Sequence, residues 1–388
     1  NLDYGKNRAK LAWYNIEPIL QEKNNSNNPL RSNLTELSDP RVRSVSQQEI
    51  FPRRTPDFGQ NQLVTFDLAY YPKDKGPYNY DGTGIDGNGK LNNPKSRWGG
   101  IMRGIDQTDF ETANIEFIEF WILDPFIKNT NPAGGSLYFN LGNISEDVLR
   151  DSRRFYENGL ATPTIPSSTT TSAWGKSPLN PIQVTQAFSN DPADRPYQDV
   201  GFDGLDDTAE VRVRQSYLQE IASVFGPGSR AYQDAIADPS SDNFKYYRDG
   251  EYDQQSTGIL GRYKKFNNPH GNSPVATAGS DFASAFTLYP DNEDLNRDNT
   301  LNEAEEYFQY RVDIRPPGEP GMQVGQNFIV DRKIVNVSLA DGTRQDQLWY
   351  QFRIPVSQYN QKVGEIPDFK SVRFIRMFLT DFEDSTVL

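Results

Sequence analysis

Two sets of aromatic, alternating stretches, in the same order near the two ends of the chain, constrain the fold most. "LVTFDLAYYP" (63–72) and "YFQYRVDIRP" (307–316) both alternate and both stop at proline. "RWGGIMR" (97–103) and "LWYQFRI" (348–354) each open around a tryptophan, Trp98 or Trp349. "TDFETANIEFIEFWILDPF" (108–126) then aligns with "PDFKSVRFIRMFLTDF" (367–382). Asp109 and Phe110 match Asp368 and Phe369, and Asp124 matches Asp381. Ile115, Phe117, Ile118 and Trp121 match Val372, Phe374, Ile375 and Phe378. Alternation with period two gives a strand one dry and one wet face, and strands of this kind bury their dry faces between two sheets. The first set continues into a further strand, "GGSLYFNLG" (134–142), whereas the second stops at "STVL", where that strand should begin. The expectation is that the cut falls inside a domain or that a strand completes it from outside.

The expected fold is therefore mainly β (α+β), with two related jelly-roll-like β-sandwich modules and a helical, loop-rich insertion between them. The modules span residues 63–144 and 286–388, and the insertion spans 145–285. Residues 1–62, rich in Asn, Arg and Pro, read as an extended connecting segment in which only "LAWYNIEPIL" is packable. Three stretches of the insertion read as helices. "SEDVLRDSRRFYENG" (145–159) has Ser145 as cap and Gly159 as stop. "DDTAEVRVRQSYLQEIASVFG" has Asp207 followed three residues later by Glu210, and "SRAYQDAIAD" (229–238) is a shorter third.

Charge and composition remove several functions. The formal net charge of −13 comes without a basic face, which argues against nucleic acid as a partner. With no cysteine there is neither a disulfide nor a thiolate site, and the lone histidine, His270, lies in the turn-like "NNPHGN". No apolar run reaches transmembrane length. Glu116 and Glu119 match Arg373 and Arg376 in the second set, which suits ion pairing or exposed edges rather than a glycosidase pair. "GKS" at 175–177 lacks the upstream glycine of a phosphate loop. The chain is not expected to be an enzyme.

One stretch has metal-ligand spacing. "DLNRDNTLNEAE" (294–305) places oxygens at Asp294, Asn296, Asp298, Thr300 and Glu305, the offsets of a calcium loop. Asn299 replaces the usual glycine, and Leu301 stands at the apolar anchor position. A strand begins near Tyr307, so no exit helix is available to move. Structural Ca2+, pinning the lead-in to the second module, is expected here rather than a switch. "DVGFDGLDD" (199–207), with Asp199, Asp203 and Asp206, and "DGTGIDGNG" (81–89) are lesser candidates.

Long blocks resemble a known family. "LAWYNIEPIL", "LAYYPKDKGPYN", "WGGIMRGIDQTDFETANIEFIEFWILDPF", "GGSLYFNLGNISEDVLRDSRRFYENGL", "PDNEDLNRDNTLNEAEEYFQYRVDIRP" and "DFKSVRFIRMFLTDFED" are similar to the SprA/Sov family. These are very large outer-membrane translocons of the Bacteroidetes type IX secretion system, also linked to gliding motility. The resemblance implies a soluble part of a giant β-barrel protein, since lipid-facing alternation with aromatic girdles is missing. It implies an extracellular place at the cell surface (a periplasmic one fits the same features) and a role in shaping the pore exit. Its partners would be secreted substrate proteins and accessory translocon subunits. The rival reading is a carbohydrate-binding β-sandwich module pair using Trp98, Trp121, Trp174 and Trp349. Exposed coplanar rings would favour it.

Overall fold

The computed structural model describes residues 2–55, 61–129, 132–154, 161–162, 166–179, 197, 201–267 and 292–388. Before the insertion run β1 (Ala9–Tyr14), β2 (Val45–Ser46), β3 (Gln62–Leu63), β4 (Asp67–Lys75), β5 (Trp98–Gly104), β6 (Phe117–Leu123) and β7 (Gly135–Asn143). The insertion holds a small hairpin, β8 (Thr169–Thr171) and β9 (Lys176–Pro178). After it come β10 (Glu306–Ile314), β11 (Ile329–Ser338), β12 (Arg344–Pro355), β13 (Gln361–Val363), β14 (Phe374–Thr380) and β15 (Thr386–Val387). The chain is mainly β and sandwich-like, as the alternating stretches require.

A five-stranded sheet in the order β13-β10-β7-β14-β5 packs against two three-stranded sheets, β1-β4-β15 and β11-β12-β6. One apolar cluster joins all three, with Leu137, Phe139 and Leu141 of β7 beside Leu68 and Tyr70 of β4 and Phe352 of β12. Phe120 of β6 lies across the core at 5.3 Å from Phe139 and stacks on Phe352 at 5.2 Å. These are ordinary distances for favourable ring pairs in a core.

The two strand sets do not close into separate modules, which corrects the expected side-by-side arrangement. Each set pairs chiefly with the other. β7 lies between β10 and β14, and β6 pairs with β12. The pairing scheme nevertheless repeats with the sets exchanged, and in the same register. Phe374 and Thr380 of β14 stand opposite Gly104 and Trp98 of β5. The matching Phe117 and Leu123 of β6 stand opposite Pro355 and Trp349 of β12. Ile314 and Asp313 of β10 face Gly135 and Ser136 of β7, as Tyr70 and Ala69 of β4 face Thr386 and Val387 of β15. Alternation decides which face of a strand is dry, and register follows from it. Two nearly identical edges offer equivalent partners, however, so alternation cannot decide which copy supplies the neighbour.

Residues 1–62 also do more than connect. Leu20, Leu30, Leu37 and Val42 form a second core with Tyr14, Tyr263 and Phe266. Short helices α1 (Pro18–Gln21), α2 (Leu34–Leu37) and α3 (Gln47–Ile50) shape this region. Polar side chains hold its turns: Asn33 accepts from the Glu36 amide, and Asn28 accepts from Leu30 while donating to the Leu20 and Glu22 carbonyls.

The insertion contributes α4 (Asp207–Val213), α5 (Gln215–Phe225), α6 (Arg230–Ala237), α7 (Gly250–Gln254) and α8 (Ile259–Tyr263). The stretch expected as one helix from Asp207 is broken at Arg214, and its cap is Asp206, which accepts from the Ala209 amide. Ser229 caps α6. Residues 145–154 are not helical. The Ser145 hydroxyl is buried without a partner, and Asp147 instead accepts from the Asp151 and Ser152 amides. Those bonds require left-handed Arg150 (φ 55°) and Ser152 (φ 58°), which no helix tolerates. Residues 155–159 of that stretch lie outside the described residues, as do His270 and Asp199.

Candidate metal centre in the helical insertion

The densest polar cluster lies where two turns meet the start of α4. The turn before α4 passes through left-handed Gly201 (φ 77°) and Gly204 (φ 65°), folding Asp203 inward. An added Cβ at Gly201 would fall on the Asp242 carboxylate, so only glycine lets that carboxylate come so close. Glu210 sits one turn into α4 on its inner face. The chain after α6 turns through Asp238, Ser240 and Asp242, with the Asp242 amide donating to Asp238 Oδ1 at 3.1 Å.

One oxygen each from Asp203, Glu210 and Asp242 gathers within 4.8 Å, and all three residues are buried. The Ser240 hydroxyl donates to Asp203 Oδ2 at 2.7 Å, and the Ser240 amide donates to Glu210 Oε2 at 3.1 Å. Asp203 Oδ1 accepts from the Leu205 amide. Among the described residues the cation that meets the cluster is Arg214, whose Nη2 is 3.4 Å from Asp203 Oδ2. Its remaining donors bond the Ala173 and Trp174 carbonyls, and its plane covers Tyr80 at 4.4 Å. Asp242 is buried beside the Tyr78 hydroxyl.

Three carboxylates facing one guanidinium leave negative charge uncompensated in a dry site. Burial raises the proton affinity of all three, and for Glu210 and Asp242 the charges of neighbouring carboxylates add to it. Asp203 is pushed up to about 6 and Glu210 up to about 8. Asp242 rises well above the usual carboxylate range through burial and the charges of Asp203, Glu210 and Asp238, and the neighbouring Tyr78 hydroxyl offsets this only in part. The cluster can be neutralised by shared protons or by a hard divalent cation, because all its donors are oxygens. A second group shares Glu210 and adds Asp207 and Asp238 on the solvent side.

The calcium-spaced loop is organised differently. Asp294, Asn296, Asp298 and Thr300 are brought into one turn through left-handed Arg297 (φ 58°) and Asn299 (φ 66°). Asp294 accepts from the Asp298 and Asn299 amides, Asn296 from the Asp298 amide, and Asp298 from the Thr300 amide and hydroxyl. The Thr300 hydroxyl, with the Thr300 amide, holds the Asp298 carboxylate below its usual range. Arg154 lies 2.9 Å from Asp294. Glu305 is held away from this group by Arg150 at 2.6 Å and by a two-pronged contact with Arg376 at 3.2 Å. Buried Glu146 anchors the loop, accepting from the Leu295, Asn296 and Asn302 amides. Nothing in the spacing around Glu146 signals this role, since its partners are some 150 positions away in sequence.

Of the lesser candidates, Asp203 joins the buried carboxylate cluster, whereas Asp206 and Asp81 do structural work. Asp206 caps α4, and Asp81 accepts from the Thr83 and Gly84 amides and pairs with buried Arg97. Glu119 pairs with Arg353 across the sheet. Trp174 and Trp349 are buried. Trp98 and Trp121 are half-buried, each with a cation over its ring, Arg8 at 5.5 Å and Lys333 at 4.5 Å. These four rings form no exposed coplanar platform, and the carbohydrate-binding alternative loses the feature that suggested it.

Residues 216–388, from α5 to β15, match the SprA_N family model, described as a motility related/secretion protein. The match over that span supports membership of the SprA/Sov-type family. The SprA_N span holds Asp242, the 294–305 loop and the whole second strand set, but neither Asp203 nor Glu210. No curated protein matches the chain. Among the described residues no helix is long and apolar enough to cross a membrane.

Proposed function

We propose that this chain is a non-enzymatic, soluble part of a type IX translocon at the outer membrane, where it shapes the exit of the protein-conducting pore. The observation that carries the reading is the SprA_N match over 216–388, which falls on strands that share sheets with β4, β5, β6 and β7. Secreted proteins and accessory subunits are the partners this reading requires. Within it, Ca2+ at Asp294, Asn296, Asp298 and Thr300 serves as a staple at the start of β10, and Glu305 joins only on leaving Arg150 and Arg376. The test is deletion of residues 292–388 in a bacterium that carries the chain. Loss of exported proteins from the medium and of colony spreading, with normal growth, is the expected result. Unchanged export overturns the reading. Protease cleavage of this segment on intact cells supports the external placement, and protection until the outer membrane is opened reassigns it to the periplasm.

A further inference from the structure

One lysine of β1 lies among other cations with no anion in contact. Lys10 stands opposite Tyr71 of β4, just past a shift in register between Ala9 and Lys10. Its ammonium lies 5.5 Å from the centre of the Phe244 ring and makes no hydrogen bond or ion pair among the described residues. Lys264, at the end of α8, covers the same Tyr71 ring at 4.5 Å. Lys265 follows it, and its carbonyl accepts from the Lys245 amide, which ties it to the segment that carries Phe244. Three ammoniums thus meet where β1 and β4 are crossed by residues 244–245 and 264–265.

The acids nearby are engaged elsewhere. Asp74 holds Lys90 on one oxygen and Lys264 on the other, both at 2.5 Å. Asp238 accepts from the Asp242 amide in its own turn and makes no ion pair among the described residues. Burial pushes Lys10 down to about 8, and Lys265 and Lys264 push the same way against Asp238 and Asp74. Elsewhere the chain answers buried cations with carboxylates: Arg43, Arg97, Arg214 and Arg262 bond Glu49, Asp81, Asp203 and Asp253. An ammonium lodged on apolar surface among like charges wants a counter-anion or gives up its proton.

We propose that Lys10, Lys264 and Lys265 form an anion site that takes a phosphate group. All three donors are ammoniums, with no arginine fork among them, which suits a tetrahedral anion held by point charges better than a flat carboxylate. Lys265 is exposed while Lys10 and Lys264 are half-buried, so the phosphate enters from the Lys265 side. At a formal net charge of −13 the chain as a whole repels anions, and only such a local excess of cations can hold one. A soluble phosphate compound and an anionic lipid headgroup present the same chemistry to these lysines. The site goes beyond the export reading and does not depend on it.

The test follows acylation of Lys10 in the full chain by mass spectrometry, using a limiting amine-reactive ester. Inorganic phosphate at about ten times its dissociation constant should slow Lys10 about tenfold, as occupancy alone requires, and leave exposed Lys95 unchanged. Potassium chloride at the same ionic strength should not protect Lys10. Lys265→Glu changes an exposed side chain, so the variant should melt as before and lose the protection. Lys10→Met keeps the packing on Phe244 and should abolish any rise in melting temperature caused by phosphate. Vesicles of phosphatidylcholine with phosphatidic acid separate the two sources. Protection by these vesicles beyond that by free phosphate supports the site with a lipid headgroup as its ligand, and protection by free phosphate alone supports it with a soluble compound. The proposal is overturned if neither phosphate nor the vesicles slow Lys10, if chloride slows it equally, or if Lys265→Glu keeps full protection. Equal protection by polyglutamate also overturns it, because the lysines then serve an acidic peptide.

Discussion

Asp294 and Asp242 both lie in turns with Asp, Asn or Ser at alternate positions, yet the two turns reach different electrostatic ends. Around Asp294, backbone amides and Arg154 meet the carboxylate, and the turn closes on itself. Around Asp242, two further carboxylates arrive from α4 and its preceding turn, while the Arg214 guanidinium pairs with Asp203. Spacing therefore builds a turn. Whether the turn retains charge seeking a partner depends on what distant segments bring to it.

The largest test of this contrast is Arg214→Ala. Leaving three buried carboxylates without their cation should cost about 3–5 kcal/mol in urea unfolding, as for a broken buried ion pair. A loss under about 1 kcal/mol would mean that protons or an ion, not Arg214, balance the cluster. Next in size is the pH dependence. Asp203 and Glu210 bind protons more tightly folded than unfolded, so their contribution is full below about pH 4 and is lost as pH rises through about 6 and 8. The urea midpoint should fall between pH 5 and 8.5, and Glu210→Gln should flatten that fall. An equal fall in the variant would place the titration elsewhere.

Calcium is the third test and bears on both turns. Millimolar calcium should raise the melting temperature, and Asp242→Asn should reduce the rise more than Asp294→Ala combined with Asp298→Ala. The opposite ranking would make the exposed loop the stronger of the two sites. The smallest effect is expected at Glu305→Gln. Its pairs with Arg150 and Arg376 are partly solvated, so the change should stay within about 1 kcal/mol. A larger loss would show that Glu305 does more than tie the loop to β14.

The strands, their dry faces and even the correspondence between sets were legible, because period-two alternation and matched aromatics are local signals. The helices near 207 and 229 were legible as elements, although the cap of the first is Asp206 rather than Asp207. The exchange of partners between sets was not, since Phe117 and Phe374 present alike to any strand of β12 or β5 type. Ser145-Glu146-Asp147 has the letters of a helix start, but Asp147 satisfies its own turn and Glu146 serves a loop far along the chain. Of the buried carboxylate cluster, Asp203 was visible within an acidic run. Glu210 passed for a capping partner, and Asp242 gains its meaning only when α6 delivers it to Gly201.

The crossed strand sets also govern how the chain comes to be folded. β7 is bordered by strands whose facing residues lie far along the chain, as with Asn140 and Gln309, 169 positions apart. Contacts of such high order close slowly, and until they close the early strands carry bare edges. During synthesis the first 143 residues thus wait for β10 and β14, so neither strand set can reach its native state ahead of the other. A chain cut within the insertion should behave as two pieces that fold only on meeting, which makes assembly of this sandwich a single late and cooperative event.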